Sequence, residues 1–282
     1  MRPTDPLLAA TRLLDFQARP IAALIAARGW KEMPSHARIG SIYEFVRNEI
    51  LFGYNRADDI PASQVLTDGY GQCNTKSTLL MALLRGVGIR CRLHGFTIRK
   101  ALQRGVVPEL VYPMAPAEIL HSWVEVEHAD SRVILEGFIL DQAYLTVLQN
   151  RFANSLQALC GYGVGTECLS APPVIWTGGD AFIQKTGISA DLGMFDTPDD
   201  FYVRHRQALG AGRSWLYSRV IRHWMNTRVR RIRSGSVPPI PGIEETALQA
   251  RALHTGGMAN ASHQSLEKPA VYPGLRLGEE HV

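Results

Sequence analysis

A thiol, an imidazole and a carboxylate that could together perform acyl transfer occur in this order near the middle of the 282-residue chain. Cys73 follows a small-residue turn containing Gly69 and Gly71, and the apolar residues after it recur at helical spacing. A thiol at the start of a helix feels the positive end of the backbone dipole, which favours the nucleophilic thiolate. Cys73 is therefore the candidate nucleophile, and the alternative is a small buried cysteine where a loop meets a helix.

His121 is the candidate base that would activate this thiol. Residues 121–126 have the alternation of a half-buried strand, residues 128–131 predict a tight turn, and residues 132–140 predict the returning strand. With the turn centred on Ala129 and Asp130, His121 and Glu136 lie on the same face of the hairpin. Glu136 would then fix the tautomer of the imidazole and stabilise its charged form.

Asp141 is the alternative acid for orienting His121. It lies an odd number of residues after Glu136, so it falls on the other face of a regular strand unless a bulge intervenes.

The stretch from the turn to the acid resembles the transglutaminase-like superfamily of cysteine enzymes. The matching features are the G-Q-C turn, a helix ending in L-L-R-G-V-G-I-R, a following strand, the H-S-W-V-E-V strand and an acid on the next strand. The resemblance covers about residues 39–145 and implies a papain-like α+β core, in which the Cys-bearing helix packs on an antiparallel sheet. It implies Cys73 as nucleophile and His121 as base. The family usually has Asp where this chain has Glu136, which keeps Asp141 open as the third residue.

The predicted chemistry is attack of the Cys73 thiolate on an amide or peptide carbonyl, with His121 protonating the departing amine. The backbone N–H of Cys73 would donate to the developing oxyanion, and Gln72 or Tyr70 is the candidate second donor. Hydrolysis by a peptidase or amidase is favoured over cross-linking. Nucleophile and base are both side chains, so no metal or organic cofactor is expected. The alternative is a catalytically silent transglutaminase-like domain that binds a peptide or protein partner through the same cleft.

The composition is that of a globular protein: 46% of the residues are hydrophobic and 20% are charged. No apolar run approaches the roughly 18 residues of a membrane span, and the N-terminal residues lack the uninterrupted apolar core of a signal peptide. Cys160 and Cys168 have no matching pair nearby and are interpreted as structural. We therefore expect reduced thiols and a cytoplasmic protein.

A basic amphipathic helix is predicted over residues 214–233. Nine arginines and no acid occur between Phe201 and Ile243. Arg219, Arg222 and Arg230 could bind a nucleic acid or an anionic membrane surface. The favoured interpretation is an ordinary last helix of the domain, because no nucleic-acid motif accompanies it.

The predicted organisation has four segments. Residues 1–38 form a helical segment that Pro20 interrupts, and residues 39–150 form the core, with a helix over 142–159 at its end. Residues 151–235 form a loop-rich and helical extension on the core, and residues 236–282 form a flexible tail. A long irregular segment in a compact protein is often functional, so Trp176, together with Asp180, Phe182 and Gln184, is predicted to wall the cleft and influence substrate choice. The alternative is ordinary packing of these side chains.

Overall fold

The computed structural model describes residues 5–153, 158–207 and 210–240. Helices surround one antiparallel sheet, which is the α+β arrangement predicted from the sequence. The α-helices of these residues are α1 Arg19–Arg28, α2 Ser35–Asn48, α3 Ala62–Asp68, α4 Cys73–Gly86, α5 Gln142–Phe152, α6 Pro198–Arg204, α7 Ala211–Leu216 and α8 Arg222–Arg233. The strands are β1 Leu51–Phe52, β2 Tyr70–Gly71, β3 Cys91–Arg99, β4 Glu118–His128, β5 Ser131–Leu135, β6 Leu159–Gly161, β7 Val164–Thr166 and β8 Ile188–Phe195.

The main sheet has four strands in the order β5-β4-β3-β8, and all its neighbours are antiparallel. Phe96 of β3 lies opposite His121 of β4, which places His121 at the middle of the sheet. Two short pairs of strands lie outside this sheet. Strand β1 runs parallel to β2, and β6 runs antiparallel to β7.

The β4–β5 hairpin has the predicted register. Val124 lies opposite Leu135, and the turn consists of Ala129 and Asp130, both with positive φ. Two residues with positive φ give a turn whose twist matches that of the flanking strands. The returning strand is shorter than the predicted residues 132–140, because β5 ends at Leu135 and residues 136–140 form a turn before α5.

Helix α4 runs through the centre of the molecule. Every residue from Cys73 to Arg85 is buried, including polar ones. Lys76 shows how such a residue is accommodated: its Nζ donates to the carbonyls of Arg47 and Ile139, at 3.2 and 3.0 Å. Burial lowers the pKa of Lys76 well below its usual value. Because α4 is enclosed on all sides, the position of its first residue is rigidly determined.

The C-terminal helix packs back on the core. A π-helical turn over residues 217–221 joins α7 to α8, and Met225, Val229 and Ile232 are buried. Asn226 clamps the backbone of Tyr54, since its side chain accepts from the N–H at 2.7 Å and donates to the carbonyl at 3.0 Å.

Several boundaries differ from the prediction. Pro20 lies in the first turn of α1, where its missing N–H has no cost, so it begins a helix rather than breaking one. Helix α5 ends at Phe152 instead of residue 159. Strand β8 lies inside the segment that was expected to be irregular.

The predicted tail falls almost wholly outside the described residues. Of its residues 236–282, only 236–240 are described, and these are packed: Ile240 is buried and Tyr162 Oη donates to the carbonyl of Pro238 at 2.6 Å. For the rest of this segment, the flexible tail stays a prediction that lies outside the described residues.

Candidate active site

The loop that delivers Cys73 is held by a network around Gln72. The Gln72 N–H donates to Thr75 Oγ1 at 3.1 Å, which satisfies the backbone at the start of α4. Its side-chain carbonyl accepts from the Asn55 N–H at 2.9 Å, and its amide donates to Asp58 at 2.8 Å. Cys73 is consequently the first residue of α4, with 8% of its surface exposed.

Hydrogen bonds between polar residues of α4 and β4 set the position of Cys73 relative to His121. Asn74 Nδ2 donates to the carbonyl of Leu120 at 3.0 Å, and Ser77 Oγ donates to that of Ser122 at 3.2 Å. Ser122 Oγ in turn donates to Asn74 Oδ1 at 3.0 Å. These bonds are made by residues on both sides of His121, so the helix tip and the strand are held in one register.

His121 and Glu136 form a fully buried pair. The imidazole Nε2 lies 2.9 Å from Glu136 Oε1, and neither side chain has any exposed surface. The second carboxylate oxygen accepts the backbone N–H groups of Ile183 and Gln184, at 2.7 and 2.9 Å. The carboxylate therefore has no freedom to turn away, and we assign the proton to Nε2 because its partner is an acceptor.

The electrostatics of His121 link it to Cys73. Burial opposes protonation of the ring, but the Cys73 thiolate and Glu136 outweigh burial and raise the pKa of His121 to about 10. The free nitrogen Nδ1 nonetheless makes no hydrogen bond of standard geometry with any described residue. Nδ1 is therefore the ring nitrogen that is free to take the thiol proton.

A cavity of about 450 Å³ opens beside Cys73. Cys73 and its two neighbours Gln72 and Asn74 line it, whereas His121 and Glu136 are buried behind the nucleophile. A cavity of this size accommodates a small organic group or a few side chains of a peptide.

A known protein family matches the part of the chain that contains Cys73 and His121. The family model of the transglutaminase-like superfamily matches residues 25–134. The chain contains a transglutaminase-like domain. Cys73 and His121 lie inside the match, and Glu136 lies two residues beyond its end.

Other comparisons are more distant. No curated protein matches the chain. A candidate cysteine protease from Cytophaga hutchinsonii is a solved structure that is similar to it, with 12% identity and a TM-score of 0.40. The match covers 69% of this chain and 47% of that one, so the chain spans about half the length of this neighbour.

Gln72, one of the two predicted candidates for the second oxyanion donor, lies beside Cys73 in the transglutaminase-like domain. One amide hydrogen is used by Asp58, and the side-chain oxygen is used by Asn55. The second amide hydrogen is the one that could serve an oxyanion, so this role stays a prediction.

Asp141 does not contact His121 and has a structural role. It caps α5 by accepting from the Tyr144 N–H at 3.0 Å, and it accepts from the Phe52 N–H at 2.9 Å. Both of its oxygens also bind Arg233, at 3.0 and 2.6 Å. The alternative in which Asp141 orients His121 is therefore a wrong interpretation of the sequence, because the strand ends before it.

Trp176 does not line the cavity beside Cys73. Its Nε1 donates to the carbonyl of His36 at 3.1 Å, and its ring packs against His36 and His128. Gly40 of α2 provides the space, since a Cβ there would lie 2.5 Å from the indole. The predicted cleft-wall role of Trp176 is wrong, because the loop that carries Trp176 packs on α2 and not beside Cys73.

Asp58 is a site residue that sequence reasoning missed. Its carboxylate accepts from Gln72 and lies in the wall of the cavity. Burial raises the pKa of Asp58, and hydrogen bonds from Gln72 and Asn74 partly offset the rise. Asp58 is one of two adjacent acids in the stretch N-R-A-D-D-I and carries no local signal, because its contact with Gln72 depends on the fold of the whole loop.

Some arginines of the basic helix form hydrogen bonds with neighbouring residues of the helical segment. Arg222 Nε donates to the carbonyl of Ser218, and Arg230 Nη2 donates to Thr227 Oγ1 at 3.1 Å. Within the described ranges, no ion pair is formed by Arg219, Arg222 or Arg230. Whether these arginines bind a nucleic acid or an anionic surface stays a prediction.

The described residues contain neither a membrane-spanning helix nor a cluster of metal-binding side chains. No helix there is both long and apolar enough to cross a bilayer. No group of three or more potential metal-binding side chains is found there either.

Proposed function

We propose that this chain is a thiol-dependent acyl-transfer enzyme that acts on an amide or peptide bond, with Cys73, His121 and Glu136 as its triad. The observation that carries the proposal is a buried imidazole that Glu136 holds at 2.9 Å, together with a thiol at the start of α4 that lines the cavity. An imidazole held in this way can serve as the base that takes the thiol proton, which makes the sulfur a nucleophile.

The proposed reaction has two half-reactions. The Cys73 sulfur attacks the amide carbonyl carbon, and the backbone N–H of Cys73 stabilises the oxyanion from the unpaired end of α4. When the C–N bond breaks, His121 gives its Nδ1 proton to the amine, which leaves. Water then attacks the thioester, transfers a proton to His121 and releases the acid, and the thiolate–imidazolium pair is restored.

Hydrolysis is favoured over cross-linking because it requires no second organic substrate beside the cavity. We further propose that the enzyme acts in a reducing compartment, the cytoplasm. All four cysteines are free thiols, and such chemistry depends on Cys73 staying reduced.

The test is the rate at which iodoacetamide alkylates each cysteine, followed by peptide mass spectrometry. Cys160 and Cys168 are exposed whereas Cys73 is nearly buried. We expect Cys73 to react about tenfold faster than Cys160 at pH 7, because His121 can take the proton of Cys73 whereas partial burial raises the pKa of Cys160. Cys168 is not the reference thiol, because its hydrogen bond with Ser170 lowers its pKa. His121→Ala should remove this advantage, and release of amine from amide substrates should disappear in Cys73→Ala.

The matched control is His94→Ala. His94 lies on β3 and binds Glu125 and Asp191, so this variant also removes a histidine from the sheet. Its Cys73 should react as in the unmodified protein, and circular dichroism should show that both variants are folded. An equal Cys73 rate in the folded His121→Ala protein would refute the enzyme proposal.

The second candidate is the catalytically silent domain that binds a peptide or protein partner through this cleft. It is favoured by one observation: His121 has no exposed surface, and its Nδ1 lacks an aligned partner among the described residues. Such a domain would bind peptides with equal affinity in Cys73→Ala and would release no amine.

A further inference from the structure

We propose that the substrate's acyl half carries a bulky apolar group, which occupies the cavity beside Cys73. This inference rests on the proposed function, since it describes what the same site accepts. It commits to one chemical class, an amide with an apolar acyl part, which a leucine-like side chain or an alkyl chain could supply.

The walls of the cavity are the first argument. Residues 52–59, 72–74, 202–207 and 213 form part of the lining. Two further segments, residues 98–120 and the helical residues 214–225, supply most of its apolar side chains. Neither segment presents a charged side chain to the cavity. Most of the side chains they contribute are apolar, among them Leu102, Val107, Val111, Leu120, Ile221 and Met225. A wall of this composition favours an apolar occupant by excluding water from its surface.

The distribution of burial is the second argument. Apolar wall residues such as Leu102, Val107 and Met225 are almost completely buried. Of the charged lining residues, Arg56, Asp59, Arg206 and Arg213 are exposed, whereas Asp58 is only partly exposed and accepts a hydrogen bond from Gln72. Four of the five charged lining residues therefore lie where solvent reaches the cavity, and the fifth already has a hydrogen-bond partner.

The cavity is held in shape without an occupant. Arg228 of α8 donates to the carbonyl of Val107 at 3.1 Å, which joins the two walls. Gln207 accepts from the N–H of Leu120 at 2.9 Å and donates to the carbonyl of Glu118 at 3.2 Å. A preformed cavity discriminates by size and polarity, because it cannot reorganise around a charged group at low cost.

The acyl half is the part of the substrate that fits this description. It stays bonded to the Cys73 sulfur through both half-reactions, whereas the amine departs after the first. Binding in a partly enclosed cavity suits the half that remains, because the apolar contacts then hold the thioester in place while water attacks.

The experiment compares three electrophiles with the same acyloxymethyl ketone group. Two are peptidyl probes of equal length, with leucine or aspartate next to the reactive carbonyl, and the third carries an octanoyl chain. We expect Cys73 to react at least about tenfold faster with the leucine or the octanoyl probe than with the aspartate probe. The faster of the two apolar probes identifies the source of the apolar group.

Two matched pairs of variants test the wall. Ile221 and Val111 line the cavity, whereas their chain neighbours Val220 and Leu110 are exposed and lie outside it. Ile221→Asp and Val111→Asp should remove the preference for the apolar probes. Val220→Asp and Leu110→Asp should leave it unchanged.

Iodoacetamide separates the two ways in which the inference can fail. If the Cys73 rate is fast and depends on His121, but the leucine, octanoyl and aspartate probes react equally, the apolar assignment is overturned and the enzyme proposal stands. If the iodoacetamide rate is independent of His121, the proposed function itself fails. A folded Ile221→Asp protein that keeps both a normal iodoacetamide rate and the apolar preference would also overturn the assignment.

Discussion

Glu136 accepts a hydrogen bond from His121 Nε2 on one oxygen, at 2.9 Å, and two backbone N–H groups on the other. These three donors use both carboxylate oxygens, so Glu136 holds the imidazole of His121 in one orientation. The second ring nitrogen, Nδ1, is then left for Cys73. The chain uses Glu here, and the extra methylene is accommodated because the backbone of residues 183–184 supports the far oxygen.

Glu136→Gln should reverse the tautomer of His121. The side-chain oxygen of Gln would stay with the two backbone N–H groups, so its NH2 group would face Nε2 and force the proton onto Nδ1. A ring protonated on Nδ1 cannot take the thiol proton, and the pKa of His121 should fall because a carboxylate that raises it is gone. We expect the alkylation rate of Cys73 at pH 7 to fall about a hundredfold. An unchanged rate–pH profile would contradict the assigned role of Glu136.

Asp141→Ala should lower stability without lowering the reactivity of Cys73. The variant removes the cap of α5 and leaves Arg233 without its buried partner. Breaking such a pair by deleting one member costs about 3 kcal/mol. Urea unfolding measures the change, and iodoacetamide reactivity, measured in the folded protein, should stay normal. A selective loss of reactivity with unchanged stability would restore Asp141 as a candidate for the site.

The residues that the sequence could place are those related by short-range periodicity. Cys73 begins a helix whose apolar spacing is visible, and His121 and Glu136 share one hairpin whose turn and alternation determine the facing residues.

The residues that were misplaced depend on contacts between distant parts of the chain. Asp141 pairs with Arg233, which is 92 residues away, and nothing local announces that partner. Trp176 enters a space left by Gly40, and a missing Cβ in a helix gives no signal in the sequence. Strand β8 was missed because it is an edge strand whose residues are mostly exposed, so it lacks the alternation that identifies a half-buried strand.

Trp176→Ala should destabilise the protein and leave the probe preference unchanged. The indole packs on α2 and against His36 and His128, away from the cavity. It is only partly buried, so we expect a loss of about 2 kcal/mol, below the range for a fully buried aromatic. Gly40→Ala is the matched variant, since its Cβ would collide with the same ring. A change in the ratio of leucine to aspartate labelling in Trp176→Ala would return this residue to the cleft wall.

The free energy of unfolding should depend on pH, because His94 binds the carboxylates of Glu125 and Asp191. Burial lowers the pKa of His94, but hydrogen bonds to Glu125 and Asp191 outweigh burial and raise the pKa above its usual value. A raised histidine pKa means that the stabilisation is fully present below the unfolded pKa of about 6.5 and is lost as the pH rises through the folded value. We therefore expect His94→Gln to be less stable than the original chain at pH 6 and nearly equal to it at high pH. Urea unfolding at pH 6 and pH 9 measures this, and an equal deficit at both values would mean that charge on His94 contributes nothing.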